Sequence, residues 1–164
     1  MGEPLSSNDP QVIRILSAAE GYCRLGMWDD AWTELDSLCA ADQKLTVTKL
    51  LRMEVQSGRK QHTETARLAE ELIGLGVTEG AVYLIGAYAI RRCRSLAEAE
   101  QFLASGEPSL NGQAIFHYNL ACYACVAGHK DEALVRLRMA IKLDPQFREL
   151  AQDDEDLQAL KGLY

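Results

Sequence analysis

The chain of 164 residues is predicted to be all-α, with about four helix pairs and a short C-terminal cap. Three observations predict this class. Apolar residues recur at three- and four-residue spacings, and few stretches alternate at period two. The four prolines, Pro4, Pro10, Pro108 and Pro145, all lie outside plausible helix interiors. Nearly half the residues are apolar, enough for a core built without disulfides or metals.

The elements follow in order along the chain. Residues 1–8 read as a flexible N-terminus, and residues 9–164 as a single domain. Asp9 and Pro10 form a helix start, with Asp9 as N-cap and Pro10 at the first helical position. Turn signals then break the chain at intervals of 14 to 20 residues. They are Gly26, the Ala41-Asp42 region, Gly58, Gly74 to Gly80, Arg94-Ser95, Gly106 to Gly112, Gly128 and Pro145. Small residues that open the second helix of each pair, Ala31, Ala66, Ala97 and Ala133, are separated by 35, 31 and 36 residues. Such even spacing marks an internal repeat with a mean period of 34 residues.

Residues 114–147, AIFHYNLACYACVAGHKDEALVRLRMAIKLDPQF, resemble a complete tetratricopeptide repeat. Leu120-Ala121 stands at that family's Leu-Gly, and Ala124 at its Tyr. Gly128 ends the first helix, Ala133 opens the second, Leu137 and Ala140 face inward, and Asp144-Pro145 closes the unit. Residues 12–45 match through Tyr22, Gly26 and Ala31. Residues 78–111 match through Leu84, Tyr88, Ala97 and Ala104, with a turn lacking glycine. Residues 46–77 match least. Gly58 to Ala66 spans eight residues where the first and fourth repeats use five, so an extra helical turn or a longer loop is expected there. The ending FRELAQDDEDLQAL is similar to that of small bacterial members. Phe147, Leu150, Ala151, Leu157 and Leu160 are expected to form the apolar stripe of a capping segment, residues 148–164. The resemblance implies a right-handed α-α superhelix whose first helices line a concave groove.

Charge narrows the classes of function. A net charge of −7 with no clustered basic stripe makes a nucleic-acid partner unexpected. Arg91-Arg92-Cys93-Arg94 reads as a solvated helix end. No secretory signal or membrane span is expected, and Gly2 lacks the context of a myristoylation site. Five scattered cysteines do not form a disulfide framework, so a cytoplasmic location with reduced thiols is expected.

The sharpest chemical signal is Cys122-x-x-Cys125, flanked by His117 and His129. Residues three apart share a helix face, so half a metal site is possible. Yet His129 lies past the Gly128 turn, and His117 lies about 140° around the helix from Cys122. No second pair completes four ligands, and no βαβ setting supports redox chemistry. The thiols are expected to pack or to line the groove. His62 and His129 read as surface turn residues, and His117 as a satisfied packing histidine. Asp153-Asp154-Glu155-Asp156 reads as a solvated face, and Trp28 and Trp32 as packing residues. No phosphate loop, nucleophile elbow or HExxH is present. The expectation is therefore no enzyme, no cofactor, no metal and no catalytic residue.

The resemblance also implies which residues line the groove. In the first repeat they are Ile13, Leu16, Ser17, Glu20, Cys23 and Arg24. In the third they are Glu79, Val82, Tyr83, Gly86, Ala89 and Ile90, and in the fourth Ile115, Tyr118, Asn119, Cys122, Cys125 and Val126. The clamp of Lys, Asn and Arg that holds a C-terminal carboxylate in chaperone adaptors is missing, so an acidic C-terminal peptide is a poor candidate. The lining favours an apolar segment, an amphipathic helix or a second copy of the chain. The expected function is a protein-binding adaptor or scaffold. The alternatives are a dedicated type III secretion-like chaperone for an apolar client, hinted at by LDSLCAAD, or a self-associating structural protein such as a homodimer. No membrane partner is expected.

Overall fold

The computed structural model describes residues 9–164, and the expected flexible residues 1–8 lie outside that range. The described residues contain no β-strand and form two compact units, the first ending at Thr78 and the second spanning Glu79–Tyr164. In the first, α1 (Pro10–Arg24) pairs with α2 (Trp28–Asp36), and α3 (Thr46–Gly58) pairs with α4 (His62–Gly74). In the second, α5 (Gly80–Cys93) pairs with α6 (Leu96–Ala104). A short α7 (Glu107–Leu110) leads to α8 (Ala114–Val126), which pairs with α9 (Lys130–Leu143). Then α10 (Gln146–Asp153) and a 3-10 segment (Glu155–Leu160) end the chain. Asp9 caps α1 as expected, its carboxylate accepting from the Gln11 N–H at 2.8 Å with Pro10 at the first turn.

The repeat is stricter than its letters suggest. Second helices start at Trp28, His62, Leu96 and Lys130, each 34 residues after the last. The small residue at the crossing of each pair falls at Ala31, Thr65, Ala99 and Ala133, again 34 apart, and all four are fully buried. Two more sets keep the same spacing in the core: Ala19, Met53, Ala87 and Ala121, and Leu35, Ala69, Leu103 and Leu137. Burying one such leucine is worth about 2 kcal/mol. A repeated small residue lets two helix backbones approach, and the larger residues beside it fill the gap.

This register corrects two expectations. The second pair holds no extra turn or longer loop. Its connection, residues 59–61, has the length of those at 25–27 and 127–129. In all three, the N–H just before the new helix reaches back five residues: Met27 to Tyr22, Gln61 to Gln56, and His129 to Ala124. The left-handed residue of the turn is Gly26 in the first pair and Gly128 in the fourth, but Lys60 (φ 60°) in the second. Gly58 serves packing instead. The Trp28 ring lies where its Cβ would stand. Thr65, not Ala66, fills the crossing, and its hydroxyl donates to the Gln61 carbonyl at 3.0 Å.

The third pair is two residues out of the expected register, at 80–113 rather than 78–111. Tyr88 and Ala104 are exposed, whereas Ala99 and Leu103 are buried. Its turn has no glycine, and Ser95 caps the second helix of the pair. The Glu98 N–H donates to the Ser95 hydroxyl oxygen at 3.2 Å, and that hydroxyl donates to the Glu98 carboxylate at 2.8 Å. Gly106 then leaves room for the Tyr83 ring, which a Cβ there would strike.

Candidate functional site

The corrected register moves the predicted groove face. On α5 the six face positions become Ala81, Leu84, Ile85, Tyr88, Arg91 and Arg92. Tyr88 is 52% exposed. Val82, Tyr83 and Ile90, expected to line a groove, are instead buried. Tyr83 packs against Phe102 with ring centroids 5.9 Å apart, and Val82 and Ile90 are fully enclosed. The face on α3, left unassigned from sequence, is now Val47, Leu50, Leu51, Glu54, Ser57 and Gly58.

On α1 the expected face is largely open. Ile13 is 49% exposed, Leu16 is half-buried against the core of its unit, and Ser17, Glu20 and Arg24 reach solvent. Arg24 donates to Glu20 at 2.6 Å. Cys23 is buried, and its thiol is pushed up to about 11 by burial and then by Glu54 and Glu20.

On α8 the same face meets the end of the chain. Ile115 and Val126 are exposed and Asn119 half-buried, but Tyr118, Cys122 and Cys125 are buried. The 3-10 segment packs directly on α8, with Leu157 and Leu160 fully enclosed. The Tyr118 hydroxyl donates to Asp154 Oδ2 at 2.6 Å, and the Tyr118 ring lies against Phe147, 4.9 Å between centroids. Both guanidinium arms of Arg91, from α5, donate to the Asp156 carboxylate at 2.5 and 2.8 Å. The Arg91 guanidinium also sits 5.4 Å from the Tyr123 ring centroid. The aspartates at 154 and 156 are thus half-buried partners, not the solvated run expected. Only Asp153 and Glu155 of that run are exposed. Of the expected cap stripe, Ala151, Leu157 and Leu160 are buried, and Leu150 is 57% exposed.

The thiol pair belongs to this packing. The Cys122 thiol faces Asp154 Oδ2 at 3.7 Å, and burial, then Asp154 and Asp156, push its ionisation up. Burial pushes Cys125 up as well. A thiolate is the form that attacks or binds metal, so both are held in their inert form. Cys122, Asp154 and Asp156 do lie within 4.8 Å of one another, the only group of this kind among the described residues. Arg91 already supplies the positive charge there, and the Tyr118 hydroxyl donates to Asp154. The chemistry is that of a hydrogen-bonded closure. His117 is buried, with Nε2 2.8 Å from the Asn111 carbonyl, and His129 is the exposed N-cap of α9. Trp32 carries Arg52 over its ring at 4.5 Å. The charged cleft beside it is internally paired, Lys49 with Glu71 and Arg67 with Glu64 and Glu71.

A scan against protein-family models finds no match, and no curated protein matches the sequence. Solved structures do. The chain is similar to YrrB, described as a TPR protein with an unusual peptide-binding site, at a TM-score of 0.70 and 12% identity. The match covers 91% of this chain and 82% of that one. The fold is the tetratricopeptide-repeat fold. Within it, α1, α3, α5 and α8 are first helices, and α2, α4, α6 and α9 second helices. No helix among the described residues is long and apolar enough to cross a membrane.

Proposed function

We propose that this TPR-fold protein is a protein–protein interaction module that takes a peptide or protein segment on its first-helix faces. One observation carries the reading. Apolar side chains stand in solvent on those faces while their neighbours are packed: Ile13 on α1, Tyr88 on α5, Ile115 and Val126 on α8. An apolar side chain exposed on a repeated helix face gains free energy when a partner covers it. The peptide-binding site ascribed to YrrB supports the same class of function. On this reading the protein is an adaptor or scaffold without enzymatic activity, and it works in the cytoplasm.

The phrase LDSLCAAD, which suggested the secretion-chaperone alternative, has a place in the repeat. In LDSLCAAD, Leu35 and Leu38 are buried in the core, and the Cys39 thiol donates to Asp42 at 2.9 Å within the following turn. Self-association through the same faces remains the second reading, because an open apolar face also fits another copy.

A photo-crosslinking residue at Tyr88 or Ile13, with Thr33 on the outer side of α2 as control, tests the proposal. The expected result is one defined adduct from positions 88 and 13 and none from 33. An adduct with a second copy of the chain selects self-association. Equal labelling from position 33, or none from the face positions, contradicts the proposal.

A further inference from the structure

The end of the chain behaves in this structure as a ligand would. It reaches past the helix pair it closes and makes its strongest polar contact with Arg91, which is 65 residues away in sequence and on another pair. A segment needed only to cover α8 and α9 has no use for a bidentate contact with α5. The contacts of Asp154 and Asp156 with the two first helices run between side chains, which any chain of the same sequence can supply. Asp154 is extended (φ −77°, ψ 118°), and its Oδ1 accepts from the Asp156 N–H at 2.9 Å. That local bond presets the two carboxylates to face Tyr118 and Arg91. Two apolar anchors, Leu157 and Leu160, then enter the core. Paired acids followed by leucines form a short recognition pattern, and the positions that read it are first-helix face positions.

We propose that the face formed by Arg91, Tyr118 and Cys122 is a recognition site for a short acidic segment of the Asp-x-Asp-Leu type. The chain's own residues 154–157 occupy it in cis, and a partner carrying such a segment binds by displacing them. Charge selects this occupant. Arg91 is fixed over Tyr123 and offers a planar fork that fits a carboxylate. The Tyr118 hydroxyl and Cys122 thiol stay protonated and so donate. The proposal rests on the reading of the first-helix faces as binding surfaces and names the partner chemistry and the control of one of them. It reverses the sequence-based expectation that an acidic peptide is a poor ligand, because Arg91 enters the face only in the corrected register.

The test uses the full chain and a synthetic peptide with the sequence of residues 152–164. Leu157 and Leu160 methyl resonances of the labelled protein report whether the tail is docked. Loosening the tail with Asp154→Asn and Asp156→Asn together is expected to shift those methyls toward solvent. It should also tighten peptide binding about tenfold, as expected for the loss of a charge-assisted competitor. Adding Arg91→Gln should abolish binding, and a peptide with its aspartates changed to asparagine should not bind. Saturating peptide should displace the Leu157 and Leu160 signals of the wild-type chain. Three results overturn the proposal. In the first, the methyls stay docked in the double variant, so that the acids do not hold the tail. In the second, a released tail leaves no peptide binding. In the third, binding survives Arg91→Gln. Crosslinking from Ile13, which lies in the first unit, would continue in each of these cases if the module reading is right.

Discussion

Helices α1 and α8 hold equivalent positions in the repeat but live in different surroundings. Nine residues of α8 are buried, on every side of the helix, whereas α1 buries only Val12, Ile15, Ala19 and Cys23 along one stripe. The sequences follow this difference. α8 reads Ala-Ile-Phe-His-Tyr-Asn-Leu-Ala-Cys-Tyr-Ala-Cys-Val, without a charged residue, and α1 carries Arg14, Glu20 and Arg24 on its open side. A helix apolar all round must be covered all round, and here the C-terminal segment supplies the missing cover. One repeat position is therefore a surface in one place and a core in another, and the residues of the next segment decide which.

Breaking the shared core should give the largest effect. Leu137→Asp puts an unpaired charge in a fully enclosed site and is expected to unfold the second unit, a loss above about 4 kcal/mol. Circular dichroism would show the lost helix. Removing the cover alone should cost less. Leu160→Ala is expected to destabilise by about 2–5 kcal/mol through the cavity it leaves, read by urea denaturation. Hydrogen exchange should then quicken in α8 and remain unchanged in α1. A result in which α1 also opens would mean that the cover matters to both regions.

Smaller changes sharpen the contrast. Tyr118→Phe keeps the ring and removes one donor from Asp154, so a loss of about 1 kcal/mol is expected. The two kinds of left-handed turn should respond in opposite directions. Gly128→Ala places a Cβ at φ 87° and should cost about 1 kcal/mol, whereas Lys60→Gly relieves φ 60° and should stabilise by roughly half that. Differential scanning calorimetry of the pair would show Tm moving down and up. Tyr88→Ala, on the open face, should change stability by no more than about 0.5 kcal/mol.

The helices, the period and the all-α class were legible because they rest on composition, prolines and spacing. Register was legible only where the marking residues were distinctive. Gly26 with Ala31 and Gly128 with Ala133 place the first and fourth pairs. The second pair uses lysine at its left-handed turn and threonine at its crossing, and a packing glycine two residues earlier imitates the turn. In the third pair Ala97 stands two residues before the true crossing at Ala99, and a serine N-cap stands where the turn glycine was sought. Those two residues of error put Val82, Tyr83 and Ile90 on the face and left Arg91 off it. The closure of α8 had one visible signal, the absence of charge along that helix. Its partners could not be read, because a run of acids looks the same in sequence whether water or an arginine meets it.

The most direct measurement is partner binding by the Tyr88→Ala and Ile13→Ala variants, taken beside their melting curves and that of Tyr118→Ala. The expected result is loss of the crosslinked partner with Tm unchanged for the first two, and a lowered Tm for the third. Binding that survives both face substitutions, or melting that falls with Tyr88→Ala as far as with Tyr118→Ala, would contradict open binding faces on α1 and on α5.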